Sequence, residues 1–206
     1  MKLYYIPGAC SLATHIVLHE LGAAFTTERV DSKTHKTETG ADYYAVNSKG
    51  YVPALALDGG DVLTEGPAIV QYLADNSGRK DLSPALGSVE RARVQAHLNF
   101  VGTELHKSFS PLFKPDSTED EKNAARRKVN LRLDDVEKEL SDGRQFFLGD
   151  AFSVADPYLF TVANWANFTG LGLGERPNLK AYVARMAERP SVKAAMKAEG
   201  LLKDAA

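Results

Sequence analysis

The chain changes character once, and that change limits its fold more than any other feature. Up to residues 77–87, short β-rich segments (2–6, 26–30, 54–57, 61–64) alternate with helical ones (11–21 and 67–76), and a small helix is expected over 43–46. Asp58-Gly59-Gly60 between the last two strands is a hairpin signal. The order βαβ then ββα makes a compact α/β domain over 1–80. Gly78, Ser83, Pro84 and Gly87 interrupt the periodicity and mark a linker over 77–87.

Beyond the linker nothing reads as strand, and an all-helical bundle is expected over 88–206. Helix-start signals recur: Ser88 before a long helix, Thr118-Glu119-Asp120-Glu121, and Ser153-Val154-Ala155-Asp156. Ser153 and Asp156 have side chains of catalytic type, but here they read as a cap, whose loss usually costs about 0.5–2 kcal/mol. In the long helix Val94, Leu98, Val101, Leu105 and Leu112 keep the three-to-four spacing of a core stripe. Asn99 and His106, seven apart, share another face about two turns or ~10.5 Å along the axis, so both can address one ligand.

With 206 residues and 44% apolar content, the chain can build one medium domain or two small ones. No apolar run approaches the roughly 20 residues of a membrane span, so no membrane role is expected. Pro7-Gly8 ends the apolar start at Ile6, far short of a secretory leader, and a cytoplasmic setting follows as the expectation. A formal charge of −2 gives no electrostatic reason to expect nucleic acid, and Arg126-Arg127-Lys128 reads as a solvated helix face.

Cys10 is the single cysteine, so no internal disulfide forms. It stands where the first strand breaks and a helix opens at Ser11. The first N–H groups of a helix carry partial positive charge, which favours an anion such as thiolate and would make the sulfur nucleophilic. A buried, inert cysteine is the competing reading. Two other features carry less than they promise. His15 and His19 sit at i, i+4, yet Glu20 lies outside the pair and no third metal ligand is in sight, so no metal is expected. Gly170, Gly172 and Gly174 follow a helix rather than a strand, and read as a loop rather than a dinucleotide fingerprint.

Several stretches, taken in order, resemble the soluble glutathione transferases, and among them the bacterial beta class. They are Pro7-Gly8-Ala9-Cys10-Ser11-Leu12, Asn47-Ser48-Lys49-Gly50-Tyr51-Val52-Pro53 and Leu63-Thr64-Glu65-Gly66-Pro67-Ala68-Ile69 in the first half. In the second half they are Leu98-Asn99-Phe100, Glu104-Leu105-His106-Lys107 and Gly149-Asp150 with Ser153-Val154-Ala155-Asp156. The resemblance runs nearly end to end and implies a thioredoxin-like N-terminal domain followed by an all-helical C-terminal one.

The same resemblance implies a site. Glutathione would add its extended backbone at Val52, before a cis Pro53, and place its γ-glutamyl carboxylate on the helix start at Gly66, with Glu65 on its ammonium. Cys10 would face its sulfur, with His106 near enough to donate a hydrogen bond or shuttle a proton. Asn99 would hold the ligand from the helical side, and Glu104 would point toward a partner subunit's site in a homodimer. His35, where relatives often carry lysine, would contact the glycine carboxylate, and Ser48 and Tyr51 also depart from frequent family residues. Phe109, Phe113, Trp165 and Phe168 would line a pocket for a small electrophilic co-substrate. The implied activity is conjugation of glutathione to small electrophiles, thiol-disulfide exchange through Cys10, or both, with glutathione as co-substrate and no further cofactor. A non-catalytic binding or regulatory protein on the same fold is the alternative.

Overall fold

The computed structural model describes residues 1–202, which divide into two compact units, Met1–Ser83 with Glu188 onward, and Pro84–Ala187. The first unit is built on a four-stranded sheet of order β2-β1-β3-β4, from β1 (Lys2–Tyr5), β2 (Thr26–Arg29), β3 (Ala54–Ala56) and β4 (Val62–Thr64). β1 runs parallel to β2 and antiparallel to β3, and β3 is antiparallel to β4. Strand alternation puts Leu3, Tyr5 and Leu55 on one face and Tyr4 and Ala54 on the other. There Tyr4 packs on Tyr43 with ring centres 5.6 Å apart, within a buried group that includes Val30.

Two helices, α1 (Ser11–Glu20) and α2 (Gly66–Ser77), pack against each other, and a single 3-10 turn covers Tyr43–Ala45. Gly78 ends α2 in the left-handed conformation that glycine adopts at least cost. The boundary between the units falls at Ser83/Pro84, within the linker expected over 77–87.

The helical region expected as one domain over 88–206 is divided differently. Its last helix, α8 (Pro190–Ala198), belongs with the first unit and packs on α1. Polar anchors explain this. Arg189 and Ser191 both donate to the Glu20 carboxylate, at 2.7 and 2.6 Å, and Glu199 receives Gly8 N–H and His15 Nδ1, each at 2.9 Å. Residues 203–206 of that expected domain lie outside the described residues.

The second unit comprises α3 (Val89–Phe100), α4 (Lys107–Phe113), α5 (Glu119–Leu140), α6 (Ala155–Phe168) and α7 (Pro177–Ala187). Ser88 and Thr118 cap α3 and α5 through their side chains, and Thr118 and Glu121 form the reciprocal box that the sequence signals. The long helix differs from its expected form, because a π-helical segment (Val101–His106) joins α3 to α4. A π turn holds more residues than an α turn, so the seven-residue step from Asn99 to His106 falls short of two turns and the two residues are offset around the helix rather than stacked in line. Val94, Leu98, Val101 and Leu105 are buried, whereas Leu112 is only half-buried.

Asp156 also departs from expectation. The residue before α6 is Val154, with no side-chain cap, and the Ser153 hydroxyl instead accepts from Ala155 N–H at 3.2 Å. Asp156 is wholly buried and accepts from Phe147 N–H (2.7 Å), Ser153 N–H (2.8 Å), the Ser153 hydroxyl (3.1 Å) and the Tyr182 hydroxyl (3.0 Å). It ties the loop before α6 to α7, a larger structural role than a surface cap. No described helix is long and apolar enough to cross a membrane.

Candidate active site

In the first unit the functional candidates gather around one turn, the cis bond between Val52 and Pro53. The turn is held from behind. The Tyr51 carbonyl accepts from the Tyr43 hydroxyl (2.8 Å) and from Asn47 Nδ2 (2.7 Å). Burial pushes the Tyr43 phenol up to about 12, so it remains a neutral donor at any physiological pH. Gly50, at φ 70°, is confined from two sides: an added Cβ would lie 2.8 Å from Tyr44 Cε1 and 3.0 Å from His35 Nδ1.

Cys10 reaches this turn from the start of α1, its thiol donating to the Val52 carbonyl at 3.2 Å. The half-exposed cysteine is therefore neither sequestered in the core nor disulfide-bonded. Ser11 fixes the preceding loop, its hydroxyl lying 3.2 Å from Ile6 N and 3.3 Å from Ile6 O. Val52 N–H makes no hydrogen bond among the described residues, which leaves one main-chain donor beside the thiol.

Gly66 lies on the Pro53 ring, at the start of α2, where the first N–H has no intrahelical partner. Glu65, just before it, holds φ 67° and ψ 106°, a conformation that costs a non-glycine residue of order 1–3 kcal/mol and is concentrated at functional sites. Its carboxylate meets Lys49 Nζ at 3.2 Å, with both side chains more than half exposed, so the pair contributes little stability. Lys49 stands in a motif the sequence marks, yet only the fold shows that it reaches Glu65. His35, also at positive φ (52°), packs beside Tyr44 at 4.8 Å, its Nδ1 buried without a hydrogen-bond partner. Cys10, Val52, Pro53, Gly66 and Glu65 are thus brought to one place, with His35 against the same loop at Gly50.

In the second unit His106 closes the π segment. Its Nδ1 lies 2.7 Å from the Tyr158 hydroxyl, and its ring meets Trp165 edge-on at 4.8 Å. Burial, and secondarily the Lys107 charge, pull the imidazole down to about 4, so it is neutral at pH 7. Phe109 and Phe113 complete an aromatic group around Trp165, at 5.6 and 5.2 Å. The four expected pocket aromatics divide by exposure. Phe109 is fully buried and backs the group, Trp165 is 8% exposed, Phe113 is 51% exposed, and Phe168 stands out in solvent at 72%. Asn99 is exposed, and Glu104 is half-buried with its carbonyl accepting the Ser108 hydroxyl.

Tyr158 is a residue that sequence reasoning missed. Helical periodicity places it in a core, and only the fold brings its hydroxyl to His106. His15 and His19 stack at 5.0 Å, but His15 Nδ1 goes to Glu199, and no cluster of three or more metal-ligating side chains occurs among the described residues.

This architecture has known counterparts. Residues 8–76 match the family model "Glutathione S-transferase, N-terminal domain", and residues 100–190 match "Glutathione S-transferase, C-terminal domain". The chain is 48% identical to the glutathione S-transferase GstA of Escherichia coli O157:H7, over 98% of this chain and all of that protein. Among solved structures, a bacterial beta class glutathione S-transferase of Sphingomonas chungbukensis superposes with a TM-score of 0.95 at 50% identity, covering 98% of this chain and 100% of that one. A sphingomonad glutathione S-transferase in complex with glutathione superposes at 0.93 with 48% identity and the same coverage. With the thioredoxin-like unit, the cis turn and the helical unit in place, the chain belongs to the glutathione transferase family, in its bacterial beta class.

Proposed function

We propose that glutathione binds along the Val52–Pro53 turn of the first unit and that the enzyme conjugates its sulfur to small electrophiles, with Cys10 also able to exchange it as a mixed disulfide. The observation that carries this reading is the meeting of Cys10 Sγ, the unpaired Val52 N–H and the Gly66 helix start around Pro53. An extended peptide needs main-chain partners at a strand-like edge, and Val52 supplies them. Its γ-glutamyl carboxylate fits the helix start at Gly66, where a backbone N–H and the dipole favour an anion. Its ammonium fits Glu65, exchanging places with Lys49. His35 faces the glycine carboxylate.

From the helical unit, Asn99 holds the ligand and His106 attends the sulfur, while Trp165 and Phe113, backed by Phe109, offer an apolar surface to the electrophile. Glu104 serves the neighbouring site in a homodimer. In conjugation the glutathione thiolate attacks the electrophilic carbon and the leaving group departs with its electron pair. In exchange the Cys10 thiolate attacks a glutathione disulfide, forming the Cys10–glutathione disulfide and releasing the second glutathione as thiolate. A reducing cytoplasm suits a chain with a single cysteine.

Glu65→Ala tests the recognition half. With an activated aryl chloride as co-substrate, KM for glutathione should rise roughly three- to tenfold, the loss of one charge-assisted contact, at similar kcat. An unchanged KM would remove Glu65 from the site.

A further inference from the structure

We infer that Tyr158 is a positioning residue for His106: its hydroxyl donates to Nδ1, fixes the neutral ring with its proton on Nε2, and so makes His106 a hydrogen-bond donor rather than a base toward glutathione sulfur. The inference rests on the proposed reading that His106 attends that sulfur.

The contact is short, 2.7 Å between Tyr158 Oη and His106 Nδ1, and one of the two groups must donate. Chemistry decides which. A phenol, with a pKa near ~10, is a far stronger acid than the N–H of a neutral imidazole, and an imidazole nitrogen is a far better acceptor than a phenol oxygen. The proton therefore lies on oxygen, Nδ1 accepts it, and the remaining ring proton is on Nε2.

The surroundings leave the ring little choice. Tyr158 is 6% exposed in α6, its ring edge-on to that of His106 at 83° and 5.9 Å. Trp165 closes another side, also edge-on. The Tyr158 hydroxyl lies against the π segment at Gly102, where a Cβ would come within 3.5 Å of it. The π turn and Tyr158 together set the rotation of the His106 ring. Burial keeps that ring uncharged, so the donor it offers carries no full positive charge. A neutral N–H can stabilise a thiolate through the whole catalytic cycle without surrendering its own proton.

Long-range proton–nitrogen correlation of uniformly labelled protein reads the tautomer of each of the five histidines, with the His106 signals identified by their loss in His106→Ala. Wild-type His106 should show the Nε2–H pattern. Tyr158→Phe should show a mixed or Nδ1–H pattern, and kcat for conjugation should fall about tenfold at unchanged KM for glutathione. An Nδ1–H pattern in the wild type overturns the inference, and so does a Tyr158→Phe protein with unaltered tautomer and kcat. If His106→Ala keeps full kcat, it is the proposed sulfur role of His106 that fails. The two spectra still decide whether Tyr158 sets the ring.

Discussion

Asp156→Ala should destabilise the protein by about 3–5 kcal/mol, several times the cost of an ordinary cap. The carboxylate is wholly buried and its two oxygens receive four donors, two of them backbone N–H groups that cannot turn away. Burial pushes its carboxyl above the usual carboxylate range, opposed by those same donors. Alanine would leave Phe147 N–H and Ser153 N–H buried without acceptors, each at a cost of about 1–3 kcal/mol. At this size each kcal/mol moves Tm by about 2–4 °C, so a fall of roughly 10 °C is expected by calorimetry. Glutathione affinity of the folded fraction should not change. A Tm within a degree or two of wild type would show that the network contributes little.

Glu199→Ala should be nearly as severe, at about 3 kcal/mol. Glu199 and His15 are buried together, with 0% and 1% of their side chains exposed, and the second Glu199 oxygen holds Gly8 N–H. Removing one member of a buried pair leaves the other without its partner, a loss of about 3–5 kcal/mol in comparable cases. The orphaned His15 would remain among Tyr5, His19 and Phe25. The same change loosens the turn after α8, where Leu201 packs at the Gly8 position. Amide exchange should accelerate along α8 more than along α5. Equal acceleration in both helices would indicate that Glu199 does not anchor α8.

What the sequence made legible follows from the range of the interactions involved. The strands, α1, α2, the hairpin at Asp58-Gly59-Gly60 and the Thr118 box all depend on residues within a few positions of each other, and each appears where local patterning puts it, to within one or two residues. The cis Val52–Pro53 bond appears as the family resemblance implies. What escaped depends on distant partners. Nothing local distinguishes Glu199 from a solvated acid, yet it is buried because His15 and Gly8, more than 180 residues away, need an acceptor. Asp156 looks like a cap until Phe147 and Tyr182 converge on it. The π segment is invisible in an apolar stripe that suits an α-helix equally well, and with it went both the offset between Asn99 and His106 and the contact to Tyr158.

In the proposed complex, glutathione sulfur meets Cys10 at the start of α1. Intact-mass spectrometry after incubation with oxidised glutathione tests it most directly. One glutathionyl group per chain should appear on Cys10 and leave again on reduction. Cys10→Ser should form no adduct, yet should still be retained on immobilised glutathione, because main-chain and carboxylate contacts supply most of the recognition. Cys10 left unmodified in a wild-type protein that binds glutathione would place the ligand's sulfur away from that thiol.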